Sequence, residues 1–459
     1  MNDTIAAITT PIGTAGVSII RLSGQDSWQI AYKIFKSANK KSTQQTFQHS
    51  KFYYGWIIDP QTNNLIDEIV LLAFKSPKSY TTEDIIEIQC HGGYNVTQKI
   101  LQICLDNGAR LAEKGEFTKR AFLGGRIDLT QVEAILDIIS AKTDLFSSSA
   151  AYNLSGRLSE LTNNIRSLLI NLLAHINASV DFPDEVDEMP VEEIKSQINN
   201  ILNSLQEVLT RSTDGTILKQ GIKTAIIGQP NVGKSSLFNY LLNINRAIVT
   251  NIPGTTRDII EEYMDIEGIP FILTDTAGIR EIKTQKDSDF IESIGIDRTK
   301  SAIDESDLIL FIYDVTQGIT KEDIYILTEI QNSNKTLIKL ANKSDLNNNY
   351  DTTDPKELLV SAKTGDGIDK LKQRIKTAVL GDNFKIQKDD IYINTRHKEC
   401  IKQAIDYLNL AISGIDDGIE QDLISIDIKS ALVSLDEMVG EVVSEIIIDQ
   451  IFSQFCVGK

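Results

Sequence analysis

Gly228-Gln229-Pro230-Asn231-Val232-Gly233-Lys234-Ser235 is the stretch from which the rest of the chain is read. It fits the pattern G-x-x-x-x-G-K-[ST], directly after an apolar run from Lys223 to Ile227 and before the helical run Ser236 to Asn239. In that setting the glycines let main-chain N–H groups wrap a phosphate chain, and the helix N-terminus favours its charge. Lys234 neutralises the outer phosphates and Ser235 holds magnesium, while Asn231, Val232, Gly233 and Ser236 complete the phosphate-binding set.

Further motifs follow at predicted strand ends. Asp275-Thr276-Ala277-Gly278 follows Phe271 to Thr274; Asp275 reaches magnesium through water and the Gly278 N–H senses the terminal phosphate. Asn342-Lys343-Ser344-Asp345 follows Thr336 to Ala341. Its carboxylate accepts from the ring N–H and exocyclic amine of guanine, donors that adenine does not offer. Ser361-Ala362-Lys363, after Leu358 to Val360, backs the base carbonyl with a main-chain N–H. With Leu308 to Tyr313 as another strand, the order predicts a doubly wound, mostly parallel sheet that binds GTP or GDP. Between the first two motifs, Thr250-Asn251-Ile252-Pro253-Gly254-Thr255-Thr256 forms a loop whose threonine closes on magnesium. Thr256 is the chosen ligand and Thr255 the alternative. Arg257 is read either as an arginine finger in cis or as a surface ion-pair partner. Ile279 stands where other GTPases place a water-orienting glutamine, so water and charge fall to other groups or hydrolysis is slow. Asn231 either ligates a monovalent cation or only caps its loop.

Outward from this block, residues 1–120 alternate β-rich runs (Ile5 to Thr9, Val17 to Leu22, Ile69 to Phe74, Ile85 to Gln89) with helical ones (Ser27 to Phe35, Val96 to Asn107). That predicts an N-terminal α/β domain. Residues 121–215 and 381–459 carry helical spacing, with Leu154, Leu158, Leu161, Ile165, Leu168 and Leu172 forming one stripe. A multidomain α/β plus all-α protein is expected, in which a G domain at residues 216–380 is inserted into a helical domain built from both flanks. The 459-residue length agrees with several domains. A net charge of -18 argues against a broad basic face for polyanions. The four cysteines form no C-x-x-C pair, there is no leader-like N-terminus and no membrane-length apolar run, and a cytoplasmic setting is expected.

Together with Gly254-Thr255-Thr256-Arg257-Asp258, Ile291 to Arg298, Asp181 to Glu185, Glu116 to Phe122 and the tail Phe455-Cys456-Val457-Gly458-Lys459, these motifs resemble the MnmE (TrmE) family of tRNA modification GTPases. The resemblance covers essentially the whole chain. It implies a Ras-like P-loop GTPase domain, a helical domain, and an N-terminal domain that dimerises and binds 5-formyltetrahydrofolate or a related folate. It also implies a homodimer that works with the FAD-dependent protein MnmG in a heterotetramer-type complex. The pair adds an aminomethyl or carboxymethylaminomethyl group to carbon-5 of the wobble uridine of certain tRNAs. By the same resemblance Asn231, Thr250, Ile252 and Thr255 ligate potassium, and Glu292 joins Asn231 and Lys234 in catalysis by organising the water network. Arg21, Glu87, Arg126 and Lys459 match folate positions, Arg126 standing where many members have lysine. His91-Gly92-Gly93 also matches the family. Cys456 is read as a thiolate nucleophile or as pocket lining. The competing reading is a ribosome-assembly or signalling switch, which would carry a compact basic RNA-binding module that this chain lacks.

Overall fold

The computed structural model describes residues 3–38, 46–211, 213–245, 262–275, 300–347, 350, 354, 357–380 and 391–459. They fall into two compact units. One comprises Met1–Leu136, Asn153–Leu205 and Glu399–Lys459, the other Asp137–Tyr152 and Gln206–Lys398.

In the first unit, strands β1 (Ile5–Ile8), β2 (Ala15–Ser23), β3 (Phe35–Ser37), β4 (Lys51–Ile58), β5 (Leu65–Phe74), β6 (Ile85–Gly92) and β7 (Arg110–Leu111) form a seven-stranded sheet in the order β3-β4-β5-β6-β2-β1-β7. Strict alternation sorts its faces. Ile20 and Leu22 of β2, with Ile86 and Ile88 of β6, join the core beneath the helices Ser27–Ile34 and Tyr94–Asp106. Arg21 and Glu87 lie between them in sequence and pair across the strands, so they occupy the other face. On β1, Ala6 belongs to the first core, while Ile5 and Ala7 pack with Ala112 and Phe117 in a separate cluster. Strand β4 was not among the predicted elements; aromatic Phe52 and Tyr54 occupy exposed positions, so its sequence lacks the apolar–polar alternation of a half-buried strand.

The helix Arg157–Asp181 buries Leu158, Ile165 and Leu172 as the stripe predicts, but Leu169, Leu173 and Ile176 complete its core face. Leu161 and Leu168 are exposed, and Leu154 ends the preceding helix, Asp144–Leu154. Aliphatic residues from Leu168 to Leu173 surround this helix, so its phase is set by its packing partner. That partner is the helix Gln421–Val439, joined to it by the Arg166–Asp436 ion pair at 2.6 Å.

In the second unit β8 (Thr213–Asp214) pairs with β15 (Tyr392–Ile393). The strands β9 (Ile222–Ile227), β10 (Glu262–Ile266), β11 (Ile269–Asp275), β12 (Leu308–Asp314), β13 (Thr336–Asn342) and β14 (Glu357–Leu359) form one sheet. Its order is β10-β11-β9-β12-β13-β14, parallel except for the β10–β11 hairpin. Every residue of β12 is buried, as expected of a strand covered on both faces. The strand order departs to either side of β9, and ligands of open α/β sheets bind at the carboxyl ends beside such a switch.

Candidate functional site

The loop that begins at Gly228 leaves the carboxyl end of β9 and runs into the helix Lys234–Asn245. It lies so close to its neighbours that side chains are excluded at both glycines. A Cβ on Gly228 would fall 2.1 Å from the Ile312 carbonyl oxygen, and one on Gly233, at φ +105°, would fall 2.2 Å from Asn342 Nδ2. Asn231 adopts φ +63°, a left-handed conformation that asparagine tolerates better than most residues. Lys234 Nζ donates to the carbonyl oxygens of Gly228 at 2.8 Å and Gln229 at 2.7 Å, which holds its ammonium over the loop. Val232 is buried, whereas Ser235 and Ser236, in the first helical turn, are exposed.

Asn342 ties this loop to the motifs expected to recognise the base. Its Nδ2 donates to the Val232 carbonyl oxygen at 2.7 Å, and its Oδ1 accepts from the Ala362 N–H at 3.0 Å. Ser361 Oγ donates to Asp345 Oδ1 at 2.7 Å and the Ser344 N–H donates to the Val360 carbonyl at 3.2 Å, fixing the two base loops against each other. Lys343, at φ +64°, pairs through Nζ with Asp314 Oδ2 at 2.7 Å. Burial opposes the Asp314 charge, but hydrogen bonds from Lys343 and Thr316 outweigh it and hold the carboxylate below its ordinary range. Lys363 is exposed. Asn342, Lys343, Ser344, Asp345, Ser361 and Ala362 thus meet the phosphate loop at one end of the sheet. Asp275 terminates β11 at that same end. Thr250, Asn251, Ile252, Pro253, Gly254, Thr255, Thr256, Arg257, Thr276, Ala277, Gly278, Ile279 and Glu292 lie outside the described residues.

A second constellation lies in the first unit. Arg21 Nε donates to Glu87 Oε1 at 2.8 Å, with both side chains about one-fifth exposed. The Arg21 guanidinium sits 5.2 Å from the ring centroid of Tyr80 and 5.5 Å from that of Phe117. Arg126 sits over the same Tyr80 ring at 4.5 Å. The C-terminal tail arrives here as well: the Phe117 N–H donates to the main-chain oxygen of Lys459 at 3.1 Å, and Lys114 and Val457 form an isolated antiparallel β-bridge. Gly458, at φ +98°, leaves no room for a Cβ, which would fall 2.4 Å from the Ile8 carbonyl oxygen. Cys456 is an exposed free thiol; Cys90, Cys104 and Cys400 are buried. His91 Nδ1 lies 2.7 Å from Asp67 Oδ1, and the His91 N–H donates to Asp67 Oδ2 at 2.8 Å, beyond the last β5–β6 pair of Val70 and Gln89.

The four folate positions taken from the resemblance therefore gather around one sheet face, one helix and the tail. Tyr80 and Phe117 were not singled out in the sequence. Phe117 lies inside the quoted Glu116 to Phe122 motif, whereas Tyr80 sits in a polar loop with no periodic signal. Beneath them Arg120, only 2% exposed in its side chain, engages Asp3 at 2.8 Å, Glu83 at 3.1 Å and Glu116 at 2.9 Å. No helix among the described residues is long and apolar enough to cross a membrane.

A family model described as "GTP-binding protein TrmE N-terminus" matches residues 4–126, and one described as "MnmE helical domain" matches residues 129–456. A relative from Thermoanaerobacter pseudethanolicus, named tRNA modification GTPase MnmE, is 44% identical over 465 residues, covering 100% of this chain and 99% of that protein. Another of the same name from Geobacillus thermodenitrificans is 42% identical over 468 residues, with coverage of 100% and 99%. Among solved structures, the G domain of the T. maritima FeoB iron transporter aligns at 27% identity over 34% of this chain and 98% of that one, with a TM-score of 0.26.

Proposed function

Because the chain belongs to the MnmE family of tRNA modification GTPases, we propose that its GTP hydrolysis drives addition of an aminomethyl or carboxymethylaminomethyl group to carbon-5 of the wobble uridine in certain tRNAs. It does so with the FAD-dependent protein MnmG, and a tetrahydrofolate supplies the one-carbon unit. The observation that carries the GTPase part is the Asn342 side chain, which joins the phosphate loop at Val232 to the base loop at Ala362. That bridge supports the reading in which Lys234 serves the phosphates and Asp345 serves guanine within one site.

Within this reading Ser235 and Thr256 hold magnesium, which screens the phosphate charge during transfer to water. Asn231, with Thr250, Ile252 and Thr255, holds potassium, which supplies the positive charge otherwise given by an arginine finger. Glu292 organises the water network. The chain divides at residues 120, 215 and 380 into the N-terminal, helical, G and returning helical segments. It works as a homodimer. Arg21, Glu87, Arg126 and Lys459 hold the folate: Glu87 accepts from the pterin donors and the cations attract the glutamate tail. Cys456 is a candidate thiolate nucleophile toward the uracil ring. With a net charge of -18 on this chain, MnmG supplies most of the basic surface for tRNA.

Nucleoside analysis of tRNA from a strain lacking this protein tests the proposal. Unmodified wobble uridine supports it. Normal tRNA with accumulated ribosomal precursors supports the assembly-switch reading instead.

A further inference from the structure

We propose that Tyr80 is a positioning residue of the folate site: its ring gathers Arg21 and Arg126 so that Arg126 meets the ligand's carboxylate tail. The inference rests on the folate reading above. Arg21 comes from β2 and Arg126 follows the helix Glu116–Leu123, yet both guanidinium groups stand over one ring, at 5.2 and 4.5 Å from its centroid. Two cations brought together repel each other, and the negative face of an aromatic ring is what can hold them in company.

The charges around the ring do not balance. Glu87 pairs with Arg21 through Oε1, while Arg126 makes no ion pair among the described residues. One unit of positive charge is therefore left on Arg126, which is exposed. That is the arrangement an anionic group on an otherwise flat, hydrogen-bonding ligand would meet: ring donors toward Glu87, a carboxylate toward Arg126. The ring itself is held from behind. Tyr80 packs against the cluster of Ile5, Ala7, Ala112 and Phe117 and against the cluster containing Ala121 and Phe455. Its hydroxyl lies 3.0 Å from Oγ1 of the buried Thr118. Arg21 is gripped further by Phe117 at 5.5 Å, so loss of Tyr80 would free Arg126 more than Arg21.

The test compares the full-length protein with Tyr80→Ala and Tyr80→Phe by calorimetric binding of two probes, 5-formyltetrahydrofolate and the same compound lacking its glutamate. Tyr80→Ala is expected to weaken the glutamate-bearing probe roughly tenfold and the tail-less probe by less than about threefold. Tyr80→Phe keeps the ring and should remain within about twofold of the unaltered protein for both. GTP turnover, measured alongside, should be the same in all three, and matching far-ultraviolet circular dichroism and thermal unfolding report that the unit containing Tyr80 is folded in each. An equal loss for both probes, or none for either, overturns the role given to Tyr80. Failure of the unaltered protein to bind folate removes the folate reading and this inference together, whereas normal binding by Tyr80→Ala with loss in Arg21→Ala removes only the inference.

Discussion

Asn342 Nδ2 donates to the carbonyl oxygen of Val232 across 2.7 Å, so the last residue of one strand closes the phosphate loop that follows another. Its Oδ1 accepts from Ala362 at 3.0 Å, and the residue is 2% exposed. Asn342→Ala leaves a buried carbonyl and a buried N–H unpaired, at a cost of about 1–3 kcal/mol. GTP and GDP affinity should both fall roughly tenfold or more, as read by fluorescent nucleotide titration. Unchanged affinity would show that the two loops hold their places without this side chain.

Asp345 accepts from Ser361 through Oδ1, which orients its carboxylate in the base loop. Xanthine carries a carbonyl where guanine carries an amine, so the donor of an amide suits it. Asp345→Asn is expected to lose GTP by about two orders of magnitude and gain xanthosine triphosphate, measured by competition. A variant that still prefers GTP would separate Asp345 from base selection.

Asn231 bears on the proposed cation. Potassium should accelerate GTP hydrolysis over sodium in the unaltered protein, and Asn231→Ala should erase the difference. Since alanine at φ +63° is also strained, Asn231→Gly serves as the second variant and should behave alike. Equal rates in the two salts for the unaltered protein would exclude potassium activation.

Gly268 turns the β10–β11 hairpin at φ +91°, and a Cβ there would come 2.5 Å from Leu145 Cδ2 and 2.6 Å from Leu145 Cβ. Its carbonyl also accepts from Thr143 Oγ1 at 2.8 Å. Gly268→Ala should destabilise this unit by about 1–3 kcal/mol through strain and overpacking, whereas Thr143→Val should cost about 1 kcal/mol. Denaturant unfolding followed in the second unit distinguishes the two.

Glu116 supplies a pH-dependent term. Burial opposes its charge, but hydrogen bonds from Arg110, from the Glu113 N–H and from Arg120 prevail and hold its carboxyl below the ordinary value of 4.5. The folded state therefore binds this proton less readily than the unfolded chain. The stabilisation is present above pH 4.5 and is lost as pH falls through the lower folded value. Glu116→Gln should be less stable than the unaltered protein by about 1–3 kcal/mol at neutral pH, and the gap should narrow on acidification. A gap independent of pH would mean that shape rather than charge is what Glu116 contributes.

The motifs of the candidate nucleotide site were legible because the chemistry they suggest is local. Gly228 to Ser235 act largely through main-chain atoms whose spacing a short loop fixes, and Asn342 and Asp345 ride on the end of one strand, so a linear pattern carries the geometry. The parallel strands were legible for a similar reason, since burial on both faces makes β12 continuously apolar. The helix Arg157–Asp181 was legible as a helix but not in its phase. Leu168 and Leu169 are equally apolar, and only contact with a partner helix decides that Leu169 is buried and Leu168 exposed. The same limit applies at the second constellation. Nothing in the loop around Tyr80 announces a ring shared by Arg21 and Arg126, because cation–π contacts join side chains from distant segments and leave no periodic trace. Short-range main-chain geometry is written residue by residue in the sequence, whereas the meeting of side chains across a folded surface exists only once the strands and helices have packed.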